Sequence, residues 1–339
     1  MALIAVAADK GAPGVTTASV ALGAVWPRPV LLAECDPSGG DLLYRLPAAG
    51  GGRLDARRGL LSLAVAARRG LRPGQVWEHA QKLHGGLDVL VGVAAAEQGA
   101  GLELLWGPVG RVLAAVPQAD VIADCGRLGV DGPVYDLLAQ ASSIVLLSGA
   151  TLAEVVRLRE RAAAVAAALH RRGRAGVVID VMIVADYKDF GAVIADVARA
   201  LRQSGAPARV IGGIAYEPRS AEQLRGEWSG RLDKSMFIRT ARAIAASLVT
   251  TLPALAAGDE PVSPPAVPPP AARPAPQPAR PASQPARPAH QPPQPAQRAR
   301  YPAPGQPSAA QAQAQPHPPD ETPLPEPAPD SAPGRPAGR

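Results

Sequence analysis

The residues best suited to chemistry follow the first apolar run of the chain. Residues 2–8 (ALIAVAA) are typical of a buried strand. Residues 9–14 (DKGAPG) then allow a tight loop, and the alanine-rich residues 16–25 are predicted to form a helix. Backbone N–H groups of such a loop, together with a helix N-terminus, form an anion site. The stretch therefore predicts a phosphate-binding loop between a strand and a helix.

Acidic residues follow two further apolar runs. Glu34 and Asp36 come directly after residues 29–33, and Asp124 comes directly after residues 119–123. An acid that ends a strand, taken alone, is more often a turn or helix-capping residue than a functional one. When acids follow two strands near a phosphate-binding loop, they could also bind a cation or take part in catalysis.

Seven short apolar runs alternate with helical segments. The strands are predicted at residues 2–8, 29–33, 87–93, 119–123, 143–147, 177–184 and 209–215. The other helices are predicted at residues 60–69, 76–83, 97–116 with a break at Gly107-Pro108, 134–141, 152–172, 193–203 and 237–252. This order predicts an α/β fold, with a mainly parallel sheet of about seven strands covered by helices on both faces. Ligands of such sheets bind at the carboxyl ends of the strands, where all these acids lie.

Three motifs together resemble the ParA/MinD family of P-loop ATPases. Residues 10–17 (KGAPGVTT) resemble its deviant Walker A motif, KGGxGK[ST]T. Residues 34–37 (ECDP) are similar to its second signature, DxDP, and residues 121–124 (VIAD) to its Walker B motif. The resemblance covers most of the first 258 residues and implies a P-loop NTPase fold with ATP or ADP and Mg²⁺ as cofactors.

The resemblance also implies a role for each matched residue. Thr16 would bind Mg²⁺ directly, and Asp124 would hold it through water. Asp36 would also belong to the metal site and would orient the attacking water. Lys10 matches the signature lysine, which in the family reaches the phosphates of the partner in a sandwich dimer, and it would be catalytic with Asp36. The nucleotide-binding residues would be Lys10, Gly11, Ala12, Pro13, Gly14, Val15, Thr16 and Thr17.

Val15 departs from the family pattern. It stands where the family has the lysine that reaches the β- and γ-phosphates. A charged hydrogen bond of this kind contributes roughly 1.5–3 kcal/mol, so its loss weakens nucleotide binding about 10- to 100-fold. Three interpretations stay open: weak binding with little or no hydrolysis, slow hydrolysis that depends on a dimer, and a nucleotide-free scaffold.

The family's function gives a further expectation. ParA/MinD-like proteins are nucleotide-switched positioning factors for DNA, division sites, flagella or pili, and a branch near the Tad-pilus localisation factors also has altered Walker A loops. The resemblance implies a homodimer with protein partners, acting in chromosome partitioning, septum-site determination or pilus localisation. The formal net charge is +6, but the arginines are scattered, which gives direct DNA binding no support.

The C-terminal part differs sharply in composition. Of the 39 prolines, 27 lie from Pro261 onward. Residues 259–339 are therefore predicted to be a disordered tail that binds partners or acts as a spacer, and residues 1–258 one α/β domain. No run of about 18 strongly apolar residues predicts a transmembrane helix. We expect a cytoplasmic protein that reaches the membrane only through partners.

Overall fold

The computed structural model describes residues 1–10, 14–224 and 232–252. The predicted domain boundary at residue 258, the predicted tail at 259–339, and Gly11, Ala12 and Pro13 of the loop lie outside the described residues.

A single eight-stranded sheet forms the centre of the described chain, in the order β3-β4-β2-β5-β1-β6-β7-β8. The strands are β1 (Leu3–Ala8), β2 (Val30–Glu34), β3 (Gln81–Lys82), β4 (Asp88–Leu90), β5 (Asp120–Arg127), β6 (Ser143–Ser148), β7 (Ile179–Ala185) and β8 (Ala208–Ala215). All pairings are parallel except that of β3 with β4. The mainly parallel sheet and each of the seven predicted strands are confirmed.

Helices connect the strands. They are α1 (Val15–Val25), α2 (Leu42–Arg45), α3 (Leu60–Ala67), α4 (Val76–His79), α5 (Ala96–Ala100), α6 (Trp106–Ala114), α7 (Tyr135–Leu138), α8 (Leu152–Arg171), α9 (Phe190–Gln203), α10 (Pro218–Gln223) and α11 (Met236–Thr251). The short helices α2 and α10 were not predicted.

Two sequence predictions about helices are wrong. The helix predicted at residues 76–83 ends at His79, because Ala80 is extended and the chain continues into β3 along the sheet edge. The break predicted at Gly107-Pro108 lies earlier, between α5 and α6. Pro108 instead occupies the first turn of α6, where a residue without an N–H loses no intrahelical hydrogen bond.

Apolar clusters cover both faces of the sheet. On β1, the side chains of Leu3, Ala5 and Ala7 belong to one cluster, and those of Ile4, Val6 and Ala8 belong to the other. The first cluster includes residues of α3, α6, α7, α8 and α9, and the second includes residues of α1 and α11. The central strand is therefore buried on both sides, as in other parallel sheets.

A buried carboxylate fixes the end of the sheet opposite the acids of the motifs. Asp120 accepts hydrogen bonds from the Ala2 N–H at 3.0 Å and from Trp26 Nε1 at 2.9 Å. It also pairs with Arg28 Nε at 2.9 Å. These contacts hold the starts of β1 and β5 and the end of α1 together, so the carboxyl ends of β1 and β5 are in a fixed register.

Candidate functional site

The carboxyl ends of β1, β2 and β5 bring the motif residues to one place. Asp124 of β5 is paired in register with Val6 of β1 and with Glu34 of β2. Asp36, which follows β2, lies against Gly126 and so is close to Asp124. Lys10 lies farther along, because β1 continues until Ala8 pairs with Arg127, and Lys10 is near the end of β6 and the start of α8. The described residues of the three motifs thus lie at the same edge of the sheet.

The described part of the loop leads into the N-terminus of α1. Gly14 caps this helix in the left-handed region, at φ 69° and ψ 51°, a conformation that residues with a Cβ adopt rarely. The side chain of Lys10 is exposed, that of Thr16 is half-buried and that of Thr17 is buried. Val15 is only 8% exposed and packs in the apolar cluster with α11. The first turn of α1 therefore carries hydroxyl groups but no cation.

Asp124 is a fully buried acid with one unsatisfied oxygen. Its Oδ1 accepts the Gly126 N–H at 3.0 Å, whereas its Oδ2 has no hydrogen-bond partner among the described residues. Burial raises the pKa of Asp124 to about 7, although the Thr16 hydroxyl and the Gly126 N–H oppose the shift. The negative charges of Glu34 and Asp36 raise this pKa further. A cation beside Oδ2 would satisfy this oxygen and favour the charged form.

The residues present fit a magnesium ion with few protein ligands. In the described ranges, no group of three or more His, Cys, Asp and Glu side chains is arranged to hold a metal ion. Mg²⁺ commonly keeps several waters and binds one or two protein oxygens together with substrate phosphates. The unsatisfied Asp124 Oδ2 and the nearby Thr16 hydroxyl could supply such oxygens, with Asp36 close by.

Two features fix the side chain of Asp36: a hydrogen bond within the turn that follows it, and a contact with the end of β5. Its Oδ1 accepts the Ser38 N–H at 2.8 Å. Burial raises the pKa of Asp36, while the Ser38 hydrogen bonds and the positive charge of Arg127 oppose the shift. The carboxylate lies against Gly126, where a Cβ would overlap it. Asp36 is therefore fixed beside Asp124 and could orient a water molecule there.

Glu34, the first acid of the second motif, has a structural role. Its Oε1 accepts the N–H groups of Asp41 at 2.9 Å and Leu42 at 3.1 Å, and its Oε2 accepts the Gly92 N–H at 2.9 Å. Gly40 also packs against this carboxylate, with no room for a Cβ. Glu34 therefore positions the start of α2 and the segment after β4.

Asp9, the first residue of the loop, forms an ion pair with an arginine of α8. Arg161 of α8 lies with Nε at 2.7 Å and Nη2 at 2.6 Å from Asp9 Oδ1. Its Nη1 donates to the carbonyl of Gly129 at 2.6 Å. The pair joins positions 152 residues apart, and no local pattern reveals it.

A cavity of about 240 Å³ adjoins the start of α1. Gly14, Thr17 and Ala18 line one side, and the ends of β6, β7 and β8 line another. The remaining lining residues belong to the segment after β8, to α10 and to α11: Tyr216, Glu217, Pro218, Ala221, Glu222 and Phe237. The cavity is thus mainly apolar, with two carboxylates in its lining, and it adjoins Gly14 at the start of α1.

Comparisons with known proteins identify the fold. No family model matches the sequence, and no curated protein matches it. Solved structures that match include a ParA family ATPase from Chlorobium tepidum TLS, with 16% identity, a TM-score of 0.55, and coverage of 73% of this chain and 98% of that one.

Two MinD structures are similar to the same extent. The cell division ATPase MinD of Pyrococcus furiosus is 16% identical, with a TM-score of 0.54 and coverage of 74% of this chain and 99% of that one. The septum site-determining protein MinD of Pyrococcus horikoshii OT3, complexed with Mg-ADP, is also 16% identical, with a TM-score of 0.51 and coverage of 73% and 95%. Identities this low establish the fold alone, and the chain has the fold of the ParA/MinD ATPases.

Proposed function

We propose that this chain is a positioning or assembly factor that binds ATP or ADP with Mg²⁺ at the N-terminus of α1 and hydrolyses ATP slowly or not at all. The observation that carries the proposal is the fully buried carboxyl group of Asp124. Its Oδ2 has no hydrogen-bond partner of good geometry among the described residues, and the Thr16 hydroxyl lies close enough to this carboxyl group to lower its pKa. A buried polar atom without a partner costs about 1–3 kcal/mol unless a ligand satisfies it. The Mg²⁺ ion of a bound nucleotide is such a ligand.

The geometry around α1 supports a nucleotide in particular. Phosphates would lie at the helix N-terminus, where backbone N–H groups favour anions. The apolar cavity next to Gly14 and Thr17 would take the nucleoside. The MinD structure from Pyrococcus horikoshii was determined with Mg-ADP, which supports the same cofactors here.

The weak hydrolysis follows from position 15. The buried side chain of Val15 cannot provide the positive charge that stabilises negative charge on the phosphates in the transition state. Mg²⁺, when bound, would neutralise part of this charge. Asp36 would orient the attacking water next to Asp124. Lys10 would supply a further positive charge for the phosphates.

The positioning role rests on the fold and its relatives. The MinD of Pyrococcus furiosus is a cell division ATPase. We propose a related role for this chain, in which nucleotide binding controls assembly on a cargo such as a chromosome, a division site or a pilus base. Protein partners would bind the domain surface or residues 259–339. No described helix has the length and hydropathy needed to cross a bilayer.

Equilibrium binding and turnover together test the proposal. A fluorescent ADP analogue is titrated with the full chain, and unlabelled ATP and ADP then compete for it, with and without Mg²⁺. Hydrolysis is followed as phosphate release under the same conditions. We expect saturable binding that Mg²⁺ strengthens, with little turnover. Absence of binding at millimolar nucleotide would refute the proposal in favour of a nucleotide-free scaffold, and fast turnover would refute the assigned effect of Val15.

A homodimer would give Lys10 a function across the interface. The Lys10 side chain is exposed at the carboxyl edge of the sheet, and the exposed apolar residues Tyr44, Val130 and Leu152 follow strands at that same edge. If Lys10 contacts the nucleotide of the partner, nucleotide must promote dimerisation as strongly as dimerisation promotes nucleotide binding.

Light scattering with and without Mg-ATP tests this dimer. The wild type is expected to associate when nucleotide is added, and Lys10→Ala is expected to lose both the association and the gain in affinity. Lys234→Ala, which removes another exposed lysine outside the loop, is the matched control and should behave as wild type. A wild-type mass that does not change with millimolar nucleotide contradicts the proposed dimer.

A further inference from the structure

The outward face of α3 carries aliphatic side chains. Leu61 and Val65, about one helical turn apart, are 40% and 48% exposed. The inward face of this helix packs in the core through three buried residues: Leu60, Leu63 and Ala64. Removing the outward face from water as well would be favourable, because it is apolar. Leu61 and Val65 therefore form a short aliphatic strip that the described part of the chain leaves in solvent.

Arginines follow this strip at the end of the helix. Arg68 is the C-cap residue of α3 and keeps a helical conformation, at φ −60° and ψ −27°. Because side chains three, four and seven positions apart share a helix face, Arg68 lies on the same face as Leu61 and Val65. Arg69 and Arg72 follow directly, and all three arginines are exposed. The aliphatic strip therefore ends in a cluster of positive charge.

Exposed arginines also precede the helix: Arg53, Arg57 and Arg58. Arg58 Nη2 donates to the Trp77 carbonyl at 3.2 Å, which attaches this arginine to α4. Residues 53–79 contain six arginines and the two acids Asp55 and Glu78, a net charge of +4 in a chain whose formal net charge is +6. In the described ranges, none of these six arginines forms an ion pair. The aliphatic strip thus lies between two groups of unpaired positive charges.

An anionic lipid surface fits this combination of groups. At a membrane–water interface, arginines keep their guanidinium groups at the lipid phosphates, while aliphatic side chains enter the acyl boundary. Each arginine near an anionic leaflet adds to the attraction. The phosphate backbone of a nucleic acid would also attract the arginines, but it would offer Leu61 and Val65 no apolar partner. The aliphatic strip therefore favours lipid over nucleic acid.

We propose that the outward face of α3 and the arginines on either side of it, which we call the α3 surface, bind an anionic lipid bilayer. Leu61 and Val65 would lie at the acyl boundary, and the arginines would lie at the lipid phosphates. This contact would be direct, whereas the sequence alone led us to expect a membrane contact through partners only. The α3 surface includes neither α1 nor Asp124, so its lipid binding does not rest on the proposed nucleotide site.

Flotation of the full chain with lipid vesicles tests this inference. The anionic vesicles contain equal parts of phosphatidylglycerol and phosphatidylcholine, and the neutral vesicles contain phosphatidylcholine alone. One triple variant removes charge from the α3 surface: Arg68→Gln, Arg69→Gln and Arg72→Gln. A control triple variant removes the same charge from exposed arginines of α8, α9 and α11 that form no ion pair among the described residues: Arg159→Gln, Arg202→Gln and Arg242→Gln. A DNA duplex is titrated in parallel.

The wild type should float with the anionic vesicles and not with the neutral ones, and added salt should release it, because salt screens exposed charges. One arginine near an anionic leaflet changes the affinity about fivefold, so the triple variant of the α3 surface should bind about 10-fold more weakly or worse. The control variant should stay close to the wild type. Val65→Ser should weaken vesicle binding and Val65→Trp should strengthen it, because tryptophan anchors at the interface. Neither change at Val65 should affect binding of the DNA duplex.

Three results would overturn the proposal. The first is a wild type that does not float with anionic vesicles, or that floats equally with both kinds. The second is an equal loss of binding in the two triple variants, which would assign the effect to net charge and not to the α3 surface. The third is equal vesicle affinity of Val65→Ser and Val65→Trp. Combined with DNA binding that the α3 variant loses, this third result would assign the α3 surface to nucleic acid.

Discussion

The carboxylate of Asp36 occupies the space in which a side chain of residue 126 would begin. Gly126 has a φ of 58°, and a Cβ built on it would overlap Asp36 Oδ2. The same glycine donates its N–H to Asp124 Oδ1. A single residue without a side chain therefore allows the two candidate site acids to lie together.

Gly126→Ala is expected to disturb this arrangement. The substitution forces a side chain into a left-handed conformation and displaces Asp36, which should cost roughly 1–3 kcal/mol of folding free energy. Urea unfolding measures the loss, and nucleotide titration measures the expected weakening of Mg-ATP binding. Gly132→Ala is the control, because nothing lies within 4 Å of its Cβ position and its φ is not positive. Equal effects of the two substitutions would show that the Asp36 contact is unimportant.

The buried Asp124 makes stability depend on pH. Its pKa is about 7 in the folded protein, whereas an unfolded aspartate titrates near about 3.9. Between these values the folded state binds more protons than the unfolded state, so the free energy of unfolding falls as pH rises. Asparagine does not titrate. Asp124→Asn should therefore gain stability relative to the wild type as pH increases from about 4 to about 7, by up to about 4 kcal/mol.

Urea unfolding of both proteins without nucleotide, at a series of pH values, checks this expectation. Burial also raises the pKa values of Glu34 and Asp36, but both acids are present in both proteins and their contribution largely cancels. A stability difference that does not change with pH would mean that Asp124 stays ionised in the folded protein.

Val15→Lys should tighten ATP binding. The stem of a lysine can keep the apolar contacts of Val15, and we expect its ammonium group to extend toward phosphates bound at the start of α1. The added charged contact should increase affinity about 10- to 100-fold. Val15→Met, a long apolar side chain without charge, is the matched control and should leave affinity unchanged. An equal response of the two variants would show that the pocket differs from a phosphate site by more than this residue.

The sheet and the position of the candidate site were predictable from local patterns. Continuous apolar runs locate the seven main strands, since a strand buried on both faces must be apolar throughout. The β3 strand was missed because its two residues are extended only through pairing with β4. The acids of the motifs could be placed together because the carboxyl ends of parallel strands share an edge.

The contacts that fix the site depend on distant parts of the chain. The role of Glu34 depends on its hydrogen bond with Gly92, a residue 58 positions away in the chain. The Asp9–Arg161 pair joins the residue after β1 to a helix residue 152 positions later. Neither contact leaves a local signal, because hydrogen bonds between loops are set by the tertiary fold and by no periodic pattern.

The central claim is that Asp124 holds the Mg²⁺ of a bound nucleotide at the start of α1. Calorimetric titration of the full chain with ATP, in Mg²⁺ and in EDTA, tests it when wild type and Asp124→Asn are compared. The account predicts that the wild type binds Mg-ATP more tightly than ATP alone. It also predicts that Asp124→Asn loses about 10-fold or more of the Mg-ATP affinity, while its affinity for ATP in EDTA is not reduced. Equal Mg-ATP affinities of the two proteins, or no binding by the wild type, would contradict the account.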